Sequence, residues 1–387
     1  LLDFYSTNSL SWEQLEYGEK AMMNLHYGLI HVGLPTMVDL RRDKLPNVKE
    51  GNMPKNFELC KEGDVAFADA SEDTNEVAKV IELFNLDNKD IVCGLHTIHG
   101  RDNKNKTIVG FKGYAFSSSA FHNQIRRIAQ GTKIYSISTK NFSECYVGIP
   151  SKAEQTKIAT LLRLIDERIA TQNKIIEKLQ SLIKGLNDNI HKGIKGETVC
   201  FSDLGEAYSG LSGKGGDDFG YGEPFITYMN VYQNTYISEK DYELVQIAPN
   251  EKQNSVQYGD ALFTLSSETP EEVGIGAVYL GNTQKLYLNS FCFGIHFYDE
   301  RVLPQYLAHF ISSSSFRRAI YPLAQGSTRF NLQKNDFMKM KFLLPSLEKQ
   351  GHIANTLDAL HCRLANEKSL TEQYILLKKY LLSLMFI

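Results

Sequence analysis

Apolar residues recur at intervals of three and four along two stretches of the chain. The first series runs Ile158, Leu162, Ile165, Ile169, Gln172, Ile176, Leu179, Ile183, Leu186 and Ile190, with Gln172 its one polar member. The second runs Ile353, Leu357, Leu360 and Leu364 and resumes, after a phase change near Glu367, at Leu370, Tyr374, Leu377, Leu381 and Leu384. This heptad spacing predicts two long helices that pack as an antiparallel coiled coil. The alternative, in which each stripe packs only on its own domain, stays open.

Both stretches belong to a repeat that organises the whole chain. A shift of 195 positions aligns residues 149–192 with residues 344–387 and gives twelve identities in 44 positions. The repeat extends into the preceding parts of the chain, where residues 63–67 align with 259–263 and residues 33–35 with 222–224. We therefore predict a domain at residues 1–148, a helix at 149–196, a second domain at 197–343 and a second helix at 344–387.

The two domains differ in pattern from the helices between them. Short apolar and aromatic runs alternate with Gly, Asn and Asp, which is typical of short strands and loops. One helix is expected in each domain, near residues 116–129 and 304–321. The predicted fold class is α+β, with two tandem domains separated by two long antiparallel coiled-coil helices and related by an internal pseudo-twofold repeat.

Composition narrows the cellular setting. No apolar run is long enough to span a membrane, and the start of the chain lacks an export signal, so the cytoplasm is expected. The chain begins without Met, and we expect a few native residues before Leu1. The six cysteines lie tens of residues apart, without CxxC or Cys/His spacing typical of metal ligands. They are interpreted as reduced structural thiols, with no metal.

Charge is segregated along the chain although its net value is only −3. Residues 98–133 contain seven Lys or Arg and one acid, whereas residues 58–90 contain ten acids and three Lys. A weakly acidic protein does not coat nucleic acid non-specifically, because that affinity comes from accumulated cations. Any DNA binding must use local basic patches, although such runs also occur on ordinary solvated surfaces.

The motifs of nucleotide-dependent and hydrolytic enzymes are absent from the sequence. The Gly-rich segment at residues 210–215 lacks the spacing of a phosphate loop, and residues 274–276 do not extend to GxGxxG. There is no HExxH, no GxSxG and no Asn-Pro-Pro-aromatic tetrapeptide. His96 and His296 each follow a Gly by two residues, but no carboxylate or Cys stands at a fixed spacing from them. Structural roles are the favoured interpretation of both.

The helix segments carry a recognisable motif. Residues 150–162 read Pro-Ser-x-x-Glu-Gln-x-x-Ile-Ala-x-x-Leu, followed by Ile-Asp-Glu-Arg-Ile at 165–169, and residues 377–386 form a second conserved-looking segment. With residues 208–210, 222–226 and 259–263, these segments resemble the specificity subunits of type I restriction-modification systems. The second copy departs from the first at Lys349, in place of Glu154, and at His361, in place of Asp166.

This resemblance implies a non-catalytic subunit that reads a split, asymmetric site in double-stranded DNA, one half per target-recognition domain. It also implies two modification subunits that use S-adenosylmethionine, and restriction subunits that use ATP and Mg²⁺, with no cofactor in this chain. The candidate DNA contacts are the following cations: Arg101, Lys104, Lys106, Arg126, Arg127, Lys133, Lys214, Arg317, Arg318 and Arg329. A nuclease or methyltransferase with an unrecognised site, and a coiled-coil scaffold that binds only proteins, remain as alternatives.

Overall fold

The computed structural model describes residues 1–18 and 22–386, and the chain divides into two compact units. Unit 1 comprises residues 1–173 and the chain from residue 369 onward, and unit 2 comprises residues 174–368. Each unit holds one α+β domain together with part of each long helix. Among the described residues, no helix combines the length and the apolar character that crossing a membrane requires.

Unit 1 is built from short strands and helices that precede the first long helix. Its strands are β1 (Asp3–Tyr5), β2 (Leu15–Glu16), β3 (Met22–Leu25), β4 (Met37–Asp39), β5 (Asn47–Val48), β6 (Val65–Ala68), β7 (Ala70–Ser71), β8 (Val80–Asn85), β9 (Asp90–Cys93), β10 (Thr97–Arg101) and β11 (Tyr135–Ser136). Its helices are α1 (Tyr27–His31), α2 (Lys112–Phe116), α3 (Ser119–Ile128), α4 (Thr139–Phe142) and the start of α5 (Lys152–Lys192), with a 3-10 turn at Trp12–Gln14. The sheets have the orders β1-β10-β6-β8-β4, β2-β5-β3-β9 and β11-β7.

Unit 2 follows the same plan. Its strands are β12 (Glu197–Cys200), β13 (Gly205–Ser209), β14 (Phe219–Ile226), β15 (Tyr242–Val245), β16 (Ala261–Thr264), β17 (Ser266–Ser267), β18 (Gly276–Val278), β19 (Tyr287–Leu288), β20 (Cys292–Phe297), β21 (Ala324–Gln325), β22 (Phe330–Leu332) and β23 (Lys341–Leu344). Its helices are α6 (Phe201–Leu204), α7 (Tyr228–Gln233), α8 (Pro304–Ile311), α9 (Ser314–Ile320), α10 (Lys334–Met338) and the start of α11 (Leu347–Met385). The sheets have the orders β13-β20-β16-β18, β15-β14-β19, β17-β22-β21 and β12-β23.

The strand pairings confirm the predicted internal repeat. The order β1-β10-β6-β8 recurs as β13-β20-β16-β18, and β5-β3-β9 recurs as β15-β14-β19 with the same antiparallel and parallel senses. One predicted alignment is wrong. Residues 222–224 lie inside β14, ahead of α7, whereas residues 33–35 follow α1. Gly33 and Gly222 both have a positive φ, and two unrelated tight bends of this kind account for the matching Gly-x-Pro motif.

Equivalent phenylalanines form the core beside the central sheet of each domain. The ring of Phe142 lies 4.7 Å from that of Phe67 and 6.1 Å from that of Phe121. In unit 2 the ring of Phe337 lies 4.8 Å from that of Phe263 and 6.2 Å from that of Phe316. All six side chains are buried. Both domains therefore build this part of the core from aromatic rings at equivalent positions.

The helix expected near residues 116–129 is present as α3, directly preceded by α2, whereas the one expected near residues 304–321 is two helices, α8 and α9. A capping serine stands between the two helices in each unit. The Ser118 Oγ accepts a hydrogen bond from Phe121 N at 3.3 Å and donates to Ala115 O at 2.7 Å. In unit 2 the Ser313 Oγ accepts from Phe316 N at 3.3 Å and donates to Phe310 O at 2.7 Å. Each serine therefore ends one helix and caps the next, a local competition that apolar periodicity does not reveal.

The long helices pack antiparallel within each unit, as predicted. In unit 1, Ala159 and Leu162 near the start of α5 share a core cluster with Leu382, near the end of α11. In unit 2, Leu186 and Ile190 near the end of α5 pack on a cluster that includes Ile353 and Leu357, near the start of α11.

The predicted phase change in α11 is wrong. The buried stripe continues in one heptad phase through Glu367, Thr371, Tyr374 and Lys378, whereas Leu377 is 43% exposed. Every member of the stripe then lies 195 positions after a member of the α5 stripe. Hydrophobicity alone misidentified the stripe because long polar side chains can bury their carbon stems and keep the polar end near water.

Candidate nucleic-acid interface

A short hairpin projects from the same place in each domain. Gln130 pairs with Ser136, and Gln325 pairs with Asn331, so the two hairpins occupy equivalent positions. Gly131 has φ +140° and Gly326 has φ +141°, and a Cβ at either would lie within 2.0 Å of a carbonyl oxygen across the turn. Only glycine permits this turn, which fixes residues 131–134 and 326–329 as the two hairpin tips.

Both hairpin tips expose a cation beside hydroxyl side chains. Lys133 is exposed next to Thr132 in the first tip, and Arg329 is exposed next to Thr328 in the second. The Arg329 guanidinium also lies 5.8 Å from the ring centroid of Phe291. Lys and Arg with Ser or Thr are the groups that contact DNA phosphates and base edges. The tips therefore have the chemistry of a DNA-contacting loop.

In unit 1 the two arginines at the end of α3 are linked to the hairpin by the loop that follows β7. Arg126 is exposed and donates from Nη1 to Asn75 Oδ1 at 2.9 Å. Asn75 follows β7, which pairs with β11 directly after the hairpin tip. Arg127 is also exposed at the end of α3. The fold thus brings the predicted contacts Arg126, Arg127 and Lys133 into one neighbourhood.

Lys104 and Lys106 lie on a separate exposed turn after β10. Asp102 shapes this turn by accepting from Lys104 N at 3.1 Å and from Thr107 N at 2.8 Å. Asn103, within the same turn, donates from Nδ2 to Asp3 Oδ2 at 2.8 Å. Both lysine side chains are exposed. The turn offers two cations on an ordered backbone.

Helix α9 of unit 2 occupies the position of α3, and its Arg317 is bonded within the protein. Arg317 donates to the carbonyl oxygens of Glu271, Val273 and Gly274 at 2.6–2.7 Å. Burial lowers the pKa of Arg317 below its ordinary value. These three bonds fix the loop that follows β17, and so they favour a structural role for Arg317. Arg318, the next residue, is exposed.

Arg101 and Lys214 are also engaged within the protein. Arg101 is buried and forms charge-assisted hydrogen bonds to Asp64 at 2.8 Å and to Glu58 at 2.6 Å. These bonds raise the pKa of Arg101 above its ordinary value. Lys214 Nζ lies 2.6 Å from Glu251, and this bond lowers the pKa of Glu251 to about 2. The burial and pairing of both cations argue against the predicted DNA contacts, because DNA binding would have to break these pairs.

The strand register also corrects the comparison of the two histidines. Gly100 pairs with Val65 and Ile295 with Ala261, so the residue equivalent to His296 is Arg101 and not His96. Arg101 contacts Asp64, and His296 contacts the equivalent aspartate, since His296 Nδ1 lies 2.8 Å from Asp260 Oδ1. His96 instead lies on the surface beside Asp69. The two histidines therefore do not form a related pair.

Sequence reasoning missed a cavity beside the second hairpin tip. It has a volume of about 290 Å³ and is lined by Tyr228, Tyr232, Ser266, Phe291 and Arg329, among others. Tyr232 donates to Glu272 Oε1 at 2.8 Å, which lowers the pKa of that carboxyl group. Tyr228 and Tyr232 are four residues apart on α7, and their rings stack with centroids 6.0 Å apart. This spacing was the signal in the sequence that could have indicated the cavity.

Two repeated α+β domains, each with an exposed cationic hairpin, and two long antiparallel helices define a duplicated protein whose hairpin tips have the chemistry to contact DNA. The family profile described as "Type I restriction modification DNA specificity domain" matches residues 43–181 and 196–373. The chain therefore belongs to this family, whose specificity subunits are the non-catalytic members of type I systems.

Individual relatives agree with the family. The chain is 25% identical over 279 residues to the type I restriction enzyme EcoKI specificity subunit of Escherichia coli (strain K12). That match spans 65% of this chain and 58% of the relative. The fold resembles the S subunit of the type I restriction-modification system from M. genitalium, with a TM-score of 0.54, 14% identity and coverage of 100% and 94% of the two chains.

A second similar structure comes from work on complex assembly and conformational transition of the type I R-M system. Its TM-score is 0.60 at 15% identity, with 93% of this chain and 90% of that chain covered. At these identities both likenesses show the fold. They agree with the duplicated strand order and the long helices described above.

Proposed function

We propose that this chain reads a bipartite, asymmetric site in double-stranded DNA, one half per domain, and performs no catalysis itself. The observation that carries the proposal is a pair of equivalent hairpins with different tips. At the position of Lys133 the second domain has Thr328, and at the position of Ile134 it has Arg329. Because the backbone is repeated and the contact groups are not, the two domains have different base preferences.

The exposed predicted cations supply this reading surface. They are Lys104, Lys106, Arg126, Arg127, Lys133, Arg318 and Arg329. Arg101, Lys214 and Arg317 instead hold loops in place, as their carboxylate and carbonyl partners indicate. A chain with net charge −3 binds DNA through such local groups and acts where DNA is found, in the cytoplasm.

The chemistry comes from partners. Two modification subunits would supply adenine methylation with S-adenosylmethionine, and restriction subunits would supply ATP- and Mg²⁺-dependent translocation and cleavage. Exposed apolar side chains on α11, outside its buried stripe, support a protein partner: Leu376 is 64% exposed and Leu384 is 50% exposed. Apolar positions that do not face the helix partner are suited to contact another subunit.

The test maps methylated sites in cells that carry this chain with its modification subunits. Lys133→Ala should relax base preference in one half-site only, and Arg329→Ala in the other half-site only. Lys174→Ala removes an exposed cation from α5 and should leave the map unchanged. A change that appears in both halves for either hairpin variant would contradict the assignment of one half per domain.

A second experiment addresses catalysis. The purified chain, incubated with DNA and either S-adenosylmethionine or Mg²⁺, should neither methylate nor cleave. Turnover that follows the chain through purification would favour the enzyme alternative. Binding without any sequence preference in the assembled complex would favour the scaffold alternative.

A further inference from the structure

Three groups that can ligate a metal meet inside the first domain. Cys60 lies in the loop before β6, Cys93 ends β9 and His99 lies in β10, and all three side chains are buried. One ligand atom from each lies within 4.8 Å of the others, and the two Sγ atoms are 3.6 Å apart. The expectation of isolated thiols rested on spacing along the chain, whereas the sheet brings distant residues together.

The imidazole of His99 is arranged as a metal ligand. Its Nε2 lies 2.7 Å from Asp64 Oδ2, so Nε2 carries the proton when Asp64 is ionised. The lone pair of Nδ1 is then free, and Nδ1 is buried with no hydrogen-bond partner among the residues the structure describes. A buried polar atom without a partner is costly, and a metal ion would satisfy it. Carboxylate-histidine-metal arrangements are common around zinc.

The second domain shows which residues stand at the positions equivalent to Cys60, Cys93 and His99. Cys60 N bonds Ile91 O just as Val256 N bonds Leu286 O, so Cys60 corresponds to Val256. By strand register Cys93 corresponds to Leu288, and His99 corresponds to Gly294. None of the three counterparts has a side-chain donor atom for a metal. The second domain therefore lacks these three ligand groups, and the ring of Tyr208 lies against Gly294 with its hydroxyl donating to Asp260 Oδ2 at 2.7 Å.

We propose that Cys60, Cys93 and the Nδ1 atom of His99 bind Zn²⁺. Zinc is tetrahedral with Zn–S bonds of about 2.3 Å, which separates two thiolate sulfurs by roughly 3.8 Å, close to the separation in this chain. Two thiolates balance the charge of the ion, and Arg101 balances Asp64 through a contact of 2.8 Å. Binding releases the two thiol protons to solvent, and a water molecule takes the fourth coordination position.

The site would act on the structure of the first domain. Asp64 joins His99 to Arg101, and Arg101 donates to Leu59 O at 2.7 Å in the loop that carries Cys60. A bound ion ties this loop to β9 and β10 at one point. The loop and both strands then share one set of contacts around Asp64, whereas the equivalent Asp260 of the second domain is contacted by the Tyr208 hydroxyl and by His296.

The experiment uses the full chain, purified under reducing conditions, stripped of metal and reloaded with Zn²⁺. We expect one ion per chain by mass spectrometry of the metal after gel filtration, and Co²⁺ in its place should give thiolate charge-transfer and tetrahedral ligand-field absorption. Cys60→Val combined with Cys93→Ala should abolish both signals. Cys292→Ser, at a buried lone thiol, and Cys362→Ser, at an exposed one, should preserve them.

Circular dichroism identifies a variant that fails to fold, and His99→Ala then provides an independent loss of the ion. Added Zn²⁺ should raise the Tm of the stripped wild type and leave that of the double variant unchanged, because only the folded site binds it. The proposal is overturned if the reloaded wild type holds no ion, if the double variant keeps it, or if Cys60 and Cys93 are recovered as a disulfide.

Discussion

Gln155 and Gln350 make the same three hydrogen bonds at the beginnings of the two long helices. The Gln155 Nε2 donates to Lys106 O at 3.0 Å and Pro150 O at 2.9 Å, and its Oε1 accepts from Ile108 N at 2.9 Å. Gln350 repeats these bonds with Arg301 O at 2.9 Å, Pro345 O at 2.9 Å and Leu303 N at 2.7 Å. Both side chains are buried. The glutamine of the helix motif therefore joins each helix to its own domain.

We expect Gln155→Leu to lower the free energy of unfolding by about 2–4 kcal/mol, because it leaves one N–H and two carbonyls without partners in a buried place. Gln350→Leu should cost a similar amount. Gln180→Leu, at an exposed position of α5, should change stability little. Urea unfolding followed by circular dichroism measures all three, and a harmless Gln155→Leu would remove the motif from the fold.

The pair Arg126 and Arg127 should contribute phosphate contacts. In the assembled complex, Arg126→Ala with Arg127→Ala should weaken DNA binding and reduce the slope of log K against log salt by about 1.8, since each phosphate contact contributes about 0.9. Binding is measured by titration at several salt concentrations. A folded double variant with an unchanged slope would take both residues out of the interface. Arg101→Lys is unsuitable as a control because it disturbs the buried pair with Asp64.

A histidine cluster in unit 2 makes stability depend on pH. Burial lowers the pKa of His309 and of His361, whose rings stack 5.3 Å apart, while Asp358 opposes this shift at His309. The unfolded chain therefore binds more protons than the folded chain below about pH 6.5, and stability falls as the pH drops. His361→Gln should reduce the loss of the urea midpoint between pH 7.5 and 5.5.

The exposed His352, on the same helix as His361, provides the comparison for this pH effect. His352→Gln should retain the wild-type dependence. Equal slopes for wild type and His361→Gln would assign the pH dependence to other groups.

The hairpin glycines should matter for DNA binding more than for stability. Gly131→Ala and Gly326→Ala force the turn to move, because the new Cβ meets a backbone oxygen. We expect a loss of about 1–3 kcal/mol of stability, in line with strained backbone elsewhere, and a clear loss of DNA affinity in the complex. Gly185→Ala in α5, where nothing lies near the added Cβ, should raise stability by roughly 0.5–1 kcal/mol. A Gly131→Ala variant with unchanged affinity would exclude the tip from the interface.

The exposed leucines of α11 should bind a partner subunit. Leu376→Lys with Leu384→Lys should prevent co-purification with the modification subunits while the isolated chain keeps its helical signal and Tm, since both side chains are exposed already. Lys379→Ala, at another exposed position near the end of α11, provides the control. If the leucine variant assembles normally, these two side chains do not form the contact with the modification subunits.

The fold was predictable where the two copies of the repeat share both pattern and packing. The heptad of α5, the antiparallel helix pair and the α+β class followed from periodicity and from the 195-residue shift. The phase of α11 did not follow, because Glu367 and Thr371 occupy the buried stripe, whereas the apolar pattern in the sequence resumes in another phase at Leu370. Whether a single polar residue in a helix is buried depends on the helix that faces it. The hydrophobicity of the surrounding sequence does not contain this information.

The candidate site was less predictable than the fold. Residue type alone could not separate Arg126, which is exposed, from Arg101, which the register places beside Asp64. The thiols Cys60 and Cys93 are 33 residues apart in the chain and meet only through sheet pairing. Contacts made by loops and strands depend on which strands become neighbours, and one sequence reveals this only where a repeat can be aligned.

The stripe also distinguishes one helix from the other. In unit 1, Asp166 of α5 lies 2.6 Å from Lys378 of α11 and accepts from Tyr114 OH at 2.9 Å. The 195-residue shift replaces Lys378 by Ile183 and Asp166 by His361. If the α5 helices of two chains paired with each other, each Asp166 would face Ile183 and lose its cation. Mispaired assemblies are thereby disfavoured during biosynthesis, when many identical chains are present before their helices have found the correct neighbour.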